Sequence, residues 1–331
     1  MRVLVTGGAG YIGSISTRVL VEAGHEVVVL DSLERGHRKA VDARATLIVA
    51  HVGDRDVLDS VLPGMDAVLH CAGYIDVAES QLDPDLYYRK NLAEPSMMLD
   101  RMTSCDVKNL VFSSTAAVYG QPDSVPITEE APRKPINAYG ASKLAFERMI
   151  ELTESVGLID AVRLRYFNAA GAVPDGSMGE AHPIECHIVP LVLKAVAEPG
   201  ARFTLFGDDY PTHDGTCVRD YVHVMDLAMA HLRALEHLCG GGTGLVCNLG
   251  SGRGYSNLEV VRACAEVTGS EIEVDRGPRR CGDPAKLVAS NDLAREALGW
   301  EPERDLKAMV ADAWRWHQTH PDGYGDQPPR G

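Results

Sequence analysis

The sequence predicts an α/β fold: a doubly wound parallel sheet with a smaller C-terminal α/β domain. Two observations carry this. Short apolar, β-branched runs recur at Arg2–Val5, Glu26–Leu30, Thr46–Val49, Ala67–His70, Asn109–Ser113 and Val162–Phe167, several of them separated by helical stretches. That alternation builds βαβ units around a parallel sheet. In addition, glycine, hydroxyl and amide residues follow directly on the runs, at the carboxyl ends of strands, where an open α/β sheet places its ligands. The 331 residues suit about two domains of roughly 150 residues each. The first is expected over residues 1–167 with a return around 216–249, the second over 168–215 and 250–331.

Taken in order, Arg2–Val5 leads into Thr6-Gly7-Gly8-Ala9-Gly10-Tyr11-Ile12-Gly13 and a helical stretch ending near Gly24, and Asp31 closes the second strand. Glycines between strand and helix, with an acidic residue about 20 positions on, make a dinucleotide site. They allow a tight turn and close backbone approach, and the helix N-terminus favours a pyrophosphate. Asp31 accepts from ribose hydroxyls and repels a 2′-phosphate, so NAD is expected rather than NADP. Asp54 and Arg55 follow the third strand, and Cys71-Ala72-Gly73 follow the fourth.

The fifth strand ends in Ser113-Ser114-Thr115, and a proline-rich loop leads to Asn137-Ala138-Tyr139-Gly140-Ala141-Ser142-Lys143. Tyr139 and Lys143, at i and i+4, share one helix face. An ammonium beside a phenol lowers the phenol's pKa toward neutrality, and Thr115 offers a second hydroxyl to the same oxygen. Such a set takes a proton from an alcohol. Residues 142–155 read as an amphipathic helix with Leu144, Met149, Ile150 and Leu152 on the apolar side and Glu147 and Arg148 opposite; residues 91–102 read similarly. Later helices are expected over 256–268, 291–298 and 306–317, and a strand at Val246–Leu249 returns to the first domain.

Composition narrows the class. Lys and Arg number 32 against 47 Asp and Glu, a net charge of −15, with no basic patch for nucleic acid. No apolar run approaches the roughly 20 residues of a membrane span. A strand begins within two residues of Met1, leaving no room for a signal peptide. The eight cysteines show no zinc spacing and read as reduced thiols of a cytoplasmic protein. His317 and His320 lack acidic or thiol partners, so no metal is expected.

The spacing Gly7, Gly10, Gly13 together with the Thr115, Tyr139 and Lys143 set resembles the extended short-chain dehydrogenase/reductase superfamily, whose sheet is of the Rossmann type. The string from Phe206-Gly207-Asp208-Asp209-Tyr210 through Arg219-Asp220-Tyr221-Val222-His223-Val224 closely resembles one found in UDP-glucose (UDP-galactose) 4-epimerases, and the likeness runs from Met1 to about Tyr324. That resemblance implies an NAD-dependent UDP-sugar 4-epimerase acting on UDP-glucose and UDP-galactose through a 4-keto sugar. It assigns catalysis to Thr115, Tyr139 and Lys143. Cofactor contacts fall to Gly7, Gly10, Tyr11, Ile12, Gly13, Asp31, Asp54, Arg55, Cys71, Ala72, Gly73, Asn91, Ser113 and Tyr166, as well as to Tyr139 and Lys143. Substrate contacts fall to Asn168, Ile188, Val189, Leu205, Phe206, Arg219, Arg280 and Asp283, with Thr115 and Tyr139. It also implies a homodimer through the helices near 91–102 and 142–155.

Ile15, Glu94-Pro95, Cys186 and Cys281 depart from the family's habits; the first two bear on cofactor retention and helix entry. Ala116-Ala117 after Thr115 lack the acid and base of the related 4,6-dehydratases. Epimerisation of UDP-N-acetylglucosamine or UDP-glucuronate stays open, with Leu287 near the deciding wall. A non-catalytic NAD-binding regulator is the reading from another class.

Overall fold

The computed structural model describes residues 1–198, 200–280 and 283–326. Cys281, one of the unusual positions, lies outside them, as do residues 327–331 of the polar tail. The strands are β1 (Arg2–Thr6), β2 (Glu26–Asp31), β3 (Thr46–Val49), β4 (Ala67–His70), β5 (Asn109–Thr115), β6 (Asp160–Tyr166), β7 (Asn168–Ala170), β8 (Phe203–Phe206), β9 (Val218–His223), β10 (Leu245–Leu249), β11 (Gly254–Ser256), β12 (Val274–Gly277) and β13 (Lys286–Leu287). The α-helices are α1 (Tyr11–Glu22), α2 (Arg55–Val61), α3 (Val77–Leu82), α4 (Pro84–Tyr88), α5 (Glu94–Ser104), α6 (Ala138–Ser155), α7 (Ile188–Ala197), α8 (Val224–Cys239), α9 (Asn257–Thr268), α10 (Asp292–Leu298) and α11 (Leu306–Thr319).

Seven strands form one sheet in the order β10-β6-β5-β4-β1-β2-β3. Every neighbouring pair is parallel. The order reverses between β1 and β4, where Thr6 pairs with His70. The loops after these two strands diverge to opposite sides there and open a crevice, the position at which doubly wound sheets bind ligands. Strand side chains alternate between two cores. Val3, Val5, Val27, Val29 and Leu69 pack with Ile15, Val19 and Leu20 of α1 and Leu227 and Leu235 of α8. Leu4, Val28, Leu30, Val68, Leu110 and Phe112 face Leu58 of α2, Met98 and Met102 of α5 and Phe146 and Ile150 of α6. Both faces being covered explains why the strands read as apolar runs.

The second lobe centres on β9, which pairs in parallel with β7 and β13 and antiparallel with β11. Its core joins Tyr221 and Tyr255 to Val192 and Leu193 of α7, Val260 and Cys264 of α9 and Met309 and Val310 of α11. β8 and β12 form a separate parallel ribbon.

Three local results differ from the sequence reading. The segment near Asn91 is a π-helical turn, Arg89–Ala93, before Pro95 sets the first turn of α5. Glu147 is fully buried, not on a solvent face, and Leu152 is 70% exposed although its spacing is apolar. Ile15 is fully buried between α1 and the sheet, so its side chain belongs to the core.

Candidate active site

The loop after β1 is shaped by contacts that only glycine admits. Gly7 has φ +72°, and a Cβ at Gly13 would lie 2.1 Å from the Gly7 carbonyl oxygen. α1 therefore starts directly against the loop. Its N-cap, Gly10, supplies no side-chain acceptor, so the first-turn N–H groups keep their donor capacity. An anion suits that position. Asp31, at the end of β2, accepts from the Ala9 N–H at 2.9 Å and the Leu33 N–H at 2.8 Å. Each bond uses one lone pair of an oxygen that has more, so the carboxylate keeps capacity for a diol. Burial raises its pKa, opposed by those two amides. These features fit an adenosine diphosphate moiety, and hence NAD.

The other expected cofactor residues have these places in the fold. Cys71 Sγ lies 3.2 Å from Ser113 Oγ, which bonds His231 Nε2 at 2.8 Å. Asn91 clamps the loop after β4: its Oδ1 accepts from the Tyr74 N–H at 2.8 Å, and its Nδ2 donates to the Tyr74 carbonyl at 2.9 Å and to Ser142 Oγ at 3.1 Å. Tyr166 sits in the same buried group, beside Ser113 and Tyr139. Ile12 packs against the core. Asp54 caps α2 through the Val57 N–H at 3.2 Å, and Arg55 is exposed.

α6 carries the reactive pair. Asn137 caps it, accepting from the Gly140 N–H at 2.8 Å. A Cβ at Gly140 would fall 2.5 Å from the Ala117 carbonyl oxygen, so a glycine here lets the helix abut the turn after β5. Tyr139 is thereby set beside Thr115, whose hydroxyl lowers the phenol's pKa. All three of Thr115, Tyr139 and Lys143 are buried.

The electrostatics depart from the simple picture of an ammonium activating a phenol. Burial pushes the Tyr139 phenol up; the Thr115 hydrogen bond and the charge of His187 oppose it. Lys143 Nζ lies 4.6 Å above the Phe112 ring, next to Gly73 and Cys71, so its charge is aimed at the loop after β4. The reason is that a helical side chain can leave its face in more than one direction, and the i, i+4 spacing fixes only the face. Burial holds the Lys143 pKa down at about 8, with Cys71 and Glu147 opposing.

Behind this pair lies a buried ion pair. Arg165 donates to Glu147 through Nε at 2.9 Å and Nη2 at 2.7 Å. Ser114 Oγ donates to the same carboxylate at 2.5 Å, and Arg165 Nη1 donates to Tyr119 Oη at 2.9 Å. The network joins β5, β6 and α6, and fixes the helix that carries Tyr139.

The cleft of the second lobe gathers Asn168, Ile188, Val189, Arg219, Arg280 and Asp283. Asn168 Nδ2 donates to the Asp220 carbonyl at 3.1 Å. Arg219 donates to the Pro284 carbonyl at 2.8 Å and lies 3.4 Å from Asp283. Arg280 stacks on Phe206 at 4.3 Å. Leu205 is buried, so of that pair Phe206 presents the accessible face. Cations and a planar stack beside one cleft suit a diphosphate joined to a base.

Sequence reasoning missed His187, which lines the cleft and whose charge lowers the Tyr139 pKa. It also missed the group it belongs to, Glu180, His182, Glu185 and His187. The only linear signal was a run of alternating acids and histidines within one loop.

The model of the NAD dependent epimerase/dehydratase family matches residues 3–250. The UDP-glucose 4-epimerase of Lacticaseibacillus casei is 47% identical over 99% of this chain and 100% of its own length. A crystal structure of a UDP-glucose 4-epimerase aligns with a TM-score of 0.95 at 43% identity, covering 98% of this chain and 99% of that one. The enzyme of that name from Bifidobacterium longum, solved with NAD+ and UDP, aligns with a TM-score of 0.92 at 36% identity, covering 98% and 100%. The fold, the dinucleotide cradle and the full-length likeness agree: the chain belongs to the NAD dependent epimerase/dehydratase family.

Proposed function

We propose that this chain is a UDP-glucose 4-epimerase, interconverting UDP-galactose and UDP-glucose through a 4-keto sugar. The observation that carries the reading is a buried Thr115–Tyr139 pair in a fold that also holds a dinucleotide cradle and an arginine-lined cleft. NAD in the cradle supplies a reversible hydride acceptor for the sugar C4. Gly7, Gly10, Tyr11, Ile12, Gly13 and Asp31 hold its adenosine half, with Asp54 and Arg55 toward the adenine. Cys71, Ala72, Gly73, Asn91, Ser113 and Tyr166 flank the other half, and Lys143 binds the nicotinamide ribose.

Tyr139, as phenolate, takes the 4-hydroxyl proton while Thr115 holds that oxygen. Arg219 and Arg280 keep the diphosphate, Phe206 and Leu205 the uracil, Ile188 and Val189 the uridine wall, Asn168 a phosphate or sugar oxygen and Asp283 the ribose. With the diphosphate held, the keto sugar turns about its link and presents its other face. With the hydride restored to C4 on that face, Tyr139 returns the proton to the 4-oxygen, and C4 is inverted. No second substrate is consumed.

The reading extends to a cytoplasmic homodimer. Seven free cysteines among the described residues support a reducing compartment. Leu152 and Val156, at 70% and 68% exposure, give the end of α6 an apolar surface for a partner copy. The direct test of the catalytic assignment is Tyr139→Phe, which should retain NAD and lose turnover. Normal activity in that variant refutes it.

A further inference from the structure

The loop before α7 holds four side chains to which the proposed reaction assigns no step. Glu180, His182, Glu185 and His187 each direct a ligand-type atom inward, and these atoms lie within 4.8 Å of one another. Both histidines present Nδ1. His182 Nδ1 is 3.3 Å from Glu180 Oε1 and 3.3 Å from Glu185 Oε2. His187 Nδ1 is 2.8 Å from Glu180 Oε1 and 3.0 Å from Glu185 Oε1.

Hydrogen bonding alone does not account for these contacts. Each Nδ1 carries at most one hydrogen, yet each faces two carboxylates. The aligned hydrogen-bond contacts of both Nδ1 atoms run to Glu185. Glu180 Oε1, on a side chain with 6% exposure, is left buried with no donor aligned on it. A buried carboxylate oxygen without a partner is costly, and it points into the centre of the group. Tetrahedral ligands bonded at 2.0–2.1 Å stand about 3.3 Å apart along each edge, the separation of His182 Nδ1 from both Glu180 Oε1 and Glu185 Oε2.

We propose that Glu180, His182, Glu185 and His187 form a tetrahedral binding site for a divalent cation of the zinc type. Two imidazole nitrogens and two carboxylates are a ligand set that zinc accepts, and four protein ligands close the site as in structural zinc centres. The position gives the ion a role. Tyr11 packs edge-on to His182 with ring centroids 6.4 Å apart and donates to the Gly171 carbonyl at 2.5 Å. The Glu180 carbonyl accepts from Trp316 Nε1 of α11 at 3.0 Å. His187 lines the substrate cleft. A cation here ties the start of α1 and the second lobe to the cleft wall, and sets fixed positive charge at His187, whose charge lowers the Tyr139 pKa.

The test uses the full chain, purified without a polyhistidine tag, stripped with chelator and retitrated with Zn2+ or Co2+. Wild type should take up about one equivalent, with Co2+ giving the visible bands of a tetrahedral site. Bound Zn2+ should also raise the melting temperature. His182→Gln should weaken the affinity by about 100-fold or more and abolish the bands. Glu185→Gln should do the same and serves if His182→Gln does not fold. Far-UV circular dichroism and NAD content report folding independently of metal. Wild type without Co2+ bands or a Zn2+-dependent melting shift overturns the proposal. So does equal metal uptake by folded variants, which marks an adventitious ion only.

Discussion

Replacing Glu147 with Ala should cost far more than the loss of a polar helix position suggests. Glu147 and Arg165 are 0% and 1% exposed, and their two N–H···O bonds are 2.9 and 2.7 Å long. Deleting one member of a buried pair leaves the other charge in a low-dielectric interior, at a cost of about 3–5 kcal/mol. Arg165 keeps only Tyr119 Oη and the Glu129 carbonyl as acceptors, and Ser114 Oγ loses its own. Urea denaturation of the wild type, Glu147→Ala and the double variant Glu147→Leu/Arg165→Met should separate charge burial from packing. The double variant should recover most of the loss, since apolar groups of similar volume can replace a buried ion pair at little cost. A second effect accompanies the first. Glu147 raises the Lys143 pKa against burial, which holds it at about 8. At that value the amine is ~90% protonated at pH 7. Without Glu147 the alkaline limb of the activity profile should move to lower pH. A loss below about 1 kcal/mol, or a double variant no better than the single, would refute the reasoning.

Four further outcomes are expected. Thr115→Val should leave NAD bound and lower kcat by about 10²–10⁴-fold, because the phenolate loses its hydroxyl partner; steady-state kinetics with UDP-galactose read this. Asp31→Ala should weaken NAD binding by about 10-fold or more while sparing NADP, since an acceptor of the ribose diol is removed; paired titrations measure the ratio. Burial lowers the His231 pKa to about 4, and that of His70 lies well below its ordinary value. A folded pKa below the unfolded value near 6.5 means the unfolded chain binds the proton more tightly. Stability is therefore fully present above about pH 6.5 and falls as the pH drops toward 4, by about 3 kcal/mol from His231 alone; melting temperatures between pH 7 and 4.5 check the sign. The proposed pairing through the end of α6 predicts a dimeric wild type and a monomeric, folded Leu152→Glu by size-exclusion chromatography.

Local signals in the sequence carried most of the fold. The glycine spacing around Gly7 and Gly13, the apolar runs of β1 to β6 and the Tyr139/Lys143 interval each depend on neighbours in the chain, and one sequence contains them. What it did not contain were partners supplied by other elements. Glu147 reads as a polar position until β6 brings Arg165 beneath it. Lys143 reads as a partner for the phenol until the loop after β4 and Phe112 offer it another place. Leu152 fits an apolar period yet is left uncovered by the described residues. Glu180 to His187 has no periodicity, so its convergence comes only from the fold of the loop.

The central claim is epimerisation at C4 with a retained cofactor. Purified protein incubated with UDP-galactose, with no NAD added, should form UDP-glucose progressively until the two sugars reach equilibrium. Absence of UDP-glucose, even after NAD is supplied to a folded protein, would contradict the account.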